Sequence, residues 1–349
     1  MKSKKTILVY LLFLTLPAFA QQADMSLIPY RKGDQWGYAS LEKKLVISPV
    51  YDEANFFYEG YACVMKGKKY GYINKAGRLV IPLKFTNARS FCFGYRDNGK
   101  GRKQDTVLFA AASTEASGYE ICIDTKGNRM TKCPAISENS VQDSTRPVSE
   151  NEIEPVYGTL VKSETFDKVM AQYKLPGGED DFYIAVKNGQ YGVINNKFEK
   201  IVPFQYSSIV KLVVNKSVYL FAEMNGRKGI LNGDGSVFIP VENSRLHYII
   251  GNNGKDYLIL TNNGFTELKV FGSSDPLASK YADIQYDREG GFVLTALNEL
   301  KGCFFLNNHR LEAKYTDVKF VNNGGFVLTR TQAGKNGYIS NQGLEFFEE

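Results

Sequence analysis

The sequence predicts an all-β chain built of tandem units. Three observations carry this. A hairpin signature with an aromatic-Gly pair recurs along the chain, an aromatic-x-x-aliphatic block follows it, and a strand-like run follows the block. Each unit is therefore expected to hold about three antiparallel strands in about 35 to 45 residues, and a unit that cannot bury its own apolar face must stack on its neighbours. An open, curved or superhelical array is the expected arrangement. A closed β-propeller is the alternative, set second because its blades usually carry four strands.

The hairpin reads Gln35-Trp36-Gly37-Tyr38-Ala39, then Leu45-Val46-Ile47-Ser48-Pro49. It returns as Tyr70-Gly71-Tyr72-Ile73-Asn74 with Leu79-Val80-Ile81-Pro82, as Tyr191-Gly192-Val193-Ile194-Asn195 with Ile201-Val202-Pro203, and as Lys228-Gly229-Ile230-Leu231-Asn232 with Val237-Phe238-Ile239-Pro240. The last copy is Asn336-Gly337-Tyr338-Ile339-Ser340 with Leu344-Glu345-Phe346-Phe347. Aromatic and β-branched residues favour strands. The Asn-x-x-Gly turn supplies a residue that tolerates positive φ. Pro lacks a ladder donor and is expected to close the second strand. Glycine inside the first strand points to a bulge or a close backbone approach.

The second block is Tyr51-Asp52-Glu53-Ala54, Phe85-Thr86-Asn87-Ala88, Phe166-Asp167-Lys168-Val169, Tyr206-Ser207-Ser208-Ile209, Tyr281-Ala282-Asp283-Ile284 and Tyr315-Thr316-Asp317-Val318. Its aromatic and its aliphatic three residues later are expected to face inward from a turn or extended segment. Next comes a strand such as Tyr61-Ala62-Cys63-Val64 or Val218-Tyr219-Leu220-Phe221-Ala222, leading through a polar turn into the next copy. Degenerate copies lie at Gly118–Gly127, which lacks the central Gly, at Asp256–Gly264, and at Lys301–Phe305, where a longer turn is expected at Asn307-Asn308. About eight units result.

These residues resemble the WG-repeat family of bacterial proteins, above all at Trp36-Gly37, Tyr51-Asp52-Glu53-Ala54, Tyr70-Gly71-Tyr72-Ile73-Asn74 and Tyr191-Gly192-Val193-Ile194-Asn195. The resemblance covers most of residues 30–349 and departs after residue 240, where the aromatic before Gly is lost. It implies an all-β repeat surface for contacts and no general chemistry.

The N-terminus reads as an address. Lys2, Lys4 and Lys5 precede the apolar run Ile7–Leu16, Pro17 breaks it, and Ala18-Phe19-Ala20 has the small-x-small pattern of a signal-peptide cleavage site. The run is shorter than the about 20 residues a spanning helix needs. Residues 1–20 are therefore expected to be a signal peptide cleaved after Ala20, making the protein exported, to periplasm or cell exterior, with no transmembrane segment in the mature chain. Residues 21–133 and 155–349 form the N- and C-terminal repeat blocks. Residues 134–154, rich in Ser, Glu, Asn and Pro, form a polar loop or insertion.

Composition limits function. The chain has 349 residues, 43% of them apolar and 23% charged, ordinary values for a globular protein. The formal charge is +6, and loss of the three N-terminal lysines leaves +3, too little for a nucleic-acid binder. Cys63, Cys92, Cys122, Cys133 and Cys303 form no zinc spacing. They read as small buried hydrophobes, with Cys122 and Cys133 able to staple a hairpin in an oxidising compartment.

His247 and His309 are the only histidines, and neither has a nucleophile-elbow motif nearby. Glu179-Asp180-Asp181 lacks the spacing of an EF-hand and reads as a solvated turn. Asn232-Gly233-Asp234-Gly235 reads as hairpin chemistry. Catalytic, cofactor-binding and metal-binding residues are all expected to be none. Most aromatics sit at repeat positions that also take Val, Ile or Leu, which points to core. Tyr58, Tyr61 and Phe91-Cys92-Phe93 lie nearer to turns and are the ones expected to be exposed. The expected function is a non-enzymatic scaffold that binds a protein or another envelope component. The alternatives are a carbohydrate-binding module using exposed aromatics and, third, an enzyme with a site dispersed across repeats.

Overall fold

A computed structural model describes residues 24–97, 104–115, 120–135 and 166–348. The signal-peptide reading of residues 1–20 and nearly all of the 134–154 insertion lie outside these residues. Among the described residues there is no helix. The described strands form eight sheets, seven of four strands and one of three. The chain divides into two compact units, Met1–Ser137 with Phe346–Glu349, and Glu138–Glu345.

The repeat is a four-stranded antiparallel sheet rather than three strands. In the second sheet the order is Glu53–Ala54, Tyr61–Lys66, Lys69–Asn74 and Leu79–Phe85. The additional strand comes from the aromatic-x-x-aliphatic block, which takes the extended option and pairs with the strand after it (Glu53 opposite Met65, Ala54 opposite Val64). Both anchors of the block face inward as expected. Tyr51 and Ala54, Phe85 and Ala88, Tyr206 and Ile209, Tyr281 and Ile284, and Tyr315 and Val318 are all buried. The Asp after the aromatic has a local task. The Asp52 carboxylate accepts from the Gly67 backbone N–H at 2.7 Å, and Asp167 accepts from the Asn188 N–H at 2.6 Å. Each thereby ties the block to the two-residue turn of its own sheet. Both central residues of those turns have positive φ, 58° and 63° at Gly67-Lys68 and 51° and 77° at Asn188-Gly189, the hairpin geometry that matches strand twist.

The second hairpin of a sheet is closed by a four-residue turn that reads Asn-x-x-Gly at Asn74–Gly77 and Asn232–Gly235. The Asn74 side chain accepts from the backbone N–H of Ala76 and Arg78 at 3.1 and 3.0 Å, and Asn195 repeats this with Lys197 and Glu199. The left-handed fourth position is Gly77 in one turn and Phe198 in the other. At Asn307-Asn308 the turn is not longer. Phe305 and His309 close it as Asn74 and Arg78 do, with Asn308 taking the left-handed place.

Pro does not close the second strand. Leu45–Tyr51 continues through Pro49 to the buried Tyr51. Trp36 is opposite Tyr51 and Tyr38 is opposite Ile47, so two residues of one strand face four of the other. The outer strand therefore carries a bulge of two extra residues, and Gly37 faces it. A Cβ on Gly37 would lie 2.2 Å from the Ile47 carbonyl oxygen. The same two-against-four register and the same carbonyl approach occur at Gly71, Gly192, Gly229 and Gly302. Only backbone bulk fits there, which is why the motif needs glycine. The sixth sheet has Glu267 at this place. There Thr266 is opposite Tyr281 and Leu268 opposite Ala278, so the bulge has one extra residue, and Lys280 takes a positive φ of 64°. Placing Pro and a bulge on the outermost strand also blunts a sheet edge that would otherwise invite pairing with another chain.

Apolar cores lie between successive sheets of a unit. In the first unit Cys63, Tyr72, Ile81, Phe85, Phe91, Ala110 and Ile123 join the second and third sheets. In the second unit such cores join the fourth to the fifth, the fifth to the sixth and the sixth to the seventh. Cys122 and Cys133 form a disulfide, while Cys63 and Cys303 are free buried thiols and Cys92 is half-buried. In the first sheet the C-terminal Phe347–Glu348 pairs in parallel with Ile28–Lys32, and the Tyr30 hydroxyl donates to the Glu348 carboxylate at 2.5 Å.

Candidate functional site

The fifth sheet comprises Ser208–Val214, Ser217–Met224, Arg227–Asn232 and Val237–Asn243. The sixth comprises Arg245–Ile250, Asp256–Asn262, Phe265–Val270 and Pro276–Tyr281. Strand alternation divides the fifth sheet cleanly. Val218, Leu220 and Ala222 join the core with the fourth sheet, while Tyr219 and Phe221 point to the sixth. Their floor is a buried cluster of Ile230, Leu246, Leu258 and Leu260.

Above that floor five aromatic rings are only partly covered, Tyr219, Phe221, Phe238, Tyr248 and Phe271. Phe271 is the centre. Its ring centroid lies 4.9 Å from Tyr219, 5.2 Å from Phe238 and 5.5 Å from Tyr248, and the Tyr contacts are edge-to-face. Phe221 meets Tyr248 edge-on at 6.3 Å. The chain fixes Phe271 by its backbone, because its N–H donates to the Asp256 carbonyl at 2.8 Å and the left-handed Gly272 turns the chain away. The Tyr248 hydroxyl donates to the Asp256 carboxylate at 2.6 Å, and burial together with that carboxylate raises the phenol's pKa well above its ordinary value.

Exposed aliphatics extend the ring cluster. Val210 is paired with Phe221 across the strands and so shares its face, and it is 43% exposed. Ile250 lies two residues beyond Tyr248 on the same strand face and is 60% exposed. The result is a partly open apolar surface where two sheets meet. Such a surface suits a contact through aromatic anchors.

The residues singled out in the sequence are placed elsewhere. Phe91 is a correction, since it is 0% exposed and lies between Tyr61 and Tyr72, with ring centroids at 5.1 and 4.8 Å. Phe57 does the same beside Tyr38 at 4.8 Å, and the Phe57–Phe91 spacing equals the Gly37–Gly71 spacing, so the repeat itself marks Phe91 as core. Phe93 is exposed as expected, and Tyr58 and Tyr61 are half-buried. The signal for Tyr219 and Phe221 was the alternation in Val218-Tyr219-Leu220-Phe221-Ala222, which sets both rings on one face.

His247 lies on the sixth sheet, its pKa lowered by burial and by the Arg245 charge. His309 packs in a turn of the seventh sheet against Phe305 and Gly343. The structure does not bring the two together. The Glu179-Asp180-Asp181 run sits at a turn, with Asp181 accepting from Gln172 at 2.8 Å. Asn232 to Gly235 is a hairpin turn in which Asp234 accepts from the Ser236 N–H at 2.9 Å. No group of three His, Cys, Asp or Glu among the described residues is placed to hold a metal ion. No helix among them is long and apolar enough to cross a membrane.

Solved structures similar to this chain include dihydro-heme d1 dehydrogenase NirN in complex with DHE, at 11% identity and a TM-score of 0.31, covering 93% of this chain and 73% of that one. The C-terminal WD40 domain of Sif2 is similar at 11% identity and 0.31, covering 92% and 93%. The Dos1 propeller is similar at 13% identity and 0.24, covering 83% and 78%. No curated protein matches the chain. The profile of the family described as WG containing repeat matches residues 36–70, 70–92 and 191–215. Each matched segment begins at the aromatic of the aromatic-Gly pair or overlaps the bulged strand it faces, and at these three places the chain is built of WG containing repeats.

Proposed function

We propose that this chain is an exported, non-enzymatic binding scaffold whose partner is a protein or another component of the cell envelope. The observation that carries the reading is the partly open aromatic and aliphatic surface between the fifth and sixth sheets, from Val210 through Phe221, Phe271 and Tyr248 to Ile250. The WG containing repeats support it, since a tandem array of sheets is a frame that holds side chains rigidly for contact. The exposed Val210 and Ile250 beside the rings present branched aliphatic groups outward, which fits an apolar protein surface. The modest positive charge of the chain fits a contact dominated by burial rather than by ion pairing.

The test compares the wild-type protein with a Val210→Glu/Ile250→Glu variant in affinity capture from envelope extract at low and moderate salt. A protein retained stoichiometrically by the wild type at both salt levels, and lost by the variant, is the expected result. An eluate holding only saccharide, or the same protein retained equally by the variant, refutes the reading. Export is checked separately, by N-terminal sequencing of the protein recovered from cells, which should begin at Gln21.

A further inference from the structure

Between the turns of the seventh and eighth sheets lies a notch of about 170 Å³. Its polar wall is Asn252, Glu289, Asn307, Asn323 and Asn341. The wall is assembled by the backbone. The Asn341 N–H donates to the Gly325 carbonyl at 3.0 Å and the Leu306 N–H to the Gly290 carbonyl at 3.4 Å. Gly290 and Gly324 are pressed together, and a Cβ on Gly290 would lie 2.1 Å from the Gly324 Cα. The notch therefore keeps a fixed form, because neither turn has room for a larger residue.

The hydrogen-bonding capacity of that wall is unevenly used. Asn307 is committed, since its amide donates to the Asn341 carbonyl at 2.8 Å and its oxygen accepts from the His309 N–H at 3.1 Å. The Asn252 amide donates to the Arg288 carbonyl at 3.2 Å. The side-chain amides of Asn323 and Asn341 and the carboxylate of Glu289 make no hydrogen bond or ion pair with another described residue. Burial and the nearby Asp287 push the Glu289 carboxyl up, while Lys319 opposes them.

The chemistry of these three groups selects a ligand class. Each amide offers a donor and an acceptor on neighbouring atoms, and the carboxylate offers acceptors only. An anion would meet the Glu289 charge. A divalent cation would find one carboxylate where hard cations take several oxygen ligands. An apolar group would leave the amides unpaired, at a cost. Neighbouring hydroxyls, each a donor and an acceptor, satisfy all three. The volume is below the roughly 300 Å³ at which pockets for drug-sized ligands begin, a size suited to a single ring. We propose that this notch binds one neutral saccharide ring through its hydroxyl groups, held by Asn323, Asn341 and Glu289. This site is separate from the aromatic surface and does not depend on the scaffold reading.

The experiment uses the full chain with glucose, N-acetylglucosamine and methyl glycosides as probes, followed by saturation-transfer NMR. At least one of these sugars is expected to bind in the millimolar range. Asn323→Ala/Asn341→Ala should weaken it by about tenfold or more, the loss of one or two net hydrogen bonds. Val210→Glu/Ile250→Glu should leave it unchanged, so the two sites fail independently. Absence of transfer from every sugar overturns the proposal, and so does binding that the double Asn variant leaves intact. Displacement of the sugar by calcium chloride or sodium sulfate overturns the ligand class. Should the variant fold poorly, the side-chain amide resonances of Asn323 and Asn341 in the wild-type protein decide the matter, because they must shift with sugar and stay fixed if the proposal is wrong.

Discussion

Replacing Gly71 with alanine places a methyl group 2.6 Å from the Ile81 carbonyl oxygen and 2.9 Å from two atoms of Pro82. Ordinary contact begins at 3.4 Å, so the nearest approach is 0.8 Å too close, and both obstacles are backbone. No rotamer change relieves it. The strands Lys69–Asn74 and Leu79–Phe85 must part locally, stretching the ladder on either side of the bulge. Two weakened backbone hydrogen bonds cost about 2 kcal/mol together. Alanine in a strand returns roughly 0.5–1 kcal/mol relative to glycine. The net expectation is a loss of about 1–1.5 kcal/mol, concentrated in the second sheet. Gly178→Ala is the control, since its added methyl would meet only Leu175, at 3.4 Å from its oxygen and 3.7 Å from its Cβ, and φ there is not positive. It should be neutral or slightly stabilising. Urea and thermal unfolding measure the total, and amide exchange shows where the loss falls. If Gly71→Ala matches the wild type or the control, or if exchange in the second sheet is unchanged, the steric account of the aromatic-Gly motif is wrong.

Further outcomes follow from other contacts. Denatured but unreduced protein should titrate three thiols (Cys63, Cys92, Cys303) and reduced protein five, and breaking the Cys122–Cys133 link, with its sequence separation of 11, should cost about 3 kcal/mol in unfolding. Burial pushes the Cys63 and Cys303 thiols up to about 12. Their neutral form is favoured in the native state, so this stability is intact below the unfolded-state value near 9 and is lost as pH rises toward 12. Cys303→Ala should therefore flatten the pH dependence of unfolding above pH 9 by about 1.4 kcal/mol per pH unit relative to the wild type. Asp52→Ala and Asp167→Ala each remove a carboxylate bond to a turn amide, and each should cost about 1 kcal/mol and speed exchange at Gly67 or Asn188 alone.

Much of this architecture is local in the sequence and was legible there. The Asn74 turn, the Gly71 bulge and the Tyr51–Ala54 anchors each lie within a few residues, where spacing and residue type decide the outcome. The fourth strand was not legible. Glu53–Ala54 and Asn87–Ala88 are two residues long, and what makes them strands is the neighbour they pair with. Pro49 misled for a related reason. It forbids a ladder bond, yet at a bulge on an outer strand no bond is required. Phe91 was readable from its 34-residue spacing to Phe57, and nearness to a turn was the weaker guide. The aromatic surface was half readable. Alternation assigns Tyr219 and Phe221 to one face, but what covers that face depends on Phe271 and Tyr248 of the next sheet, residues that share no motif with them. The notch around Asn323 and Asn341 was not legible, because turns from different repeats build it.

The bulge on the outer strand does for heredity what it does for geometry. In the sixth sheet Glu267 stands where five other sheets carry glycine and the bulge is one residue shorter, yet Tyr281 is buried and Asp283 opens the next sheet in register. An outer strand that can gain or lose slack takes up an error before it reaches the following repeat. Insertions, deletions and lost signatures are thus contained within the sheet where they arise. A chain built this way can let individual repeats drift, and so give single sheets surfaces of their own, while the frame that carries them stays the same.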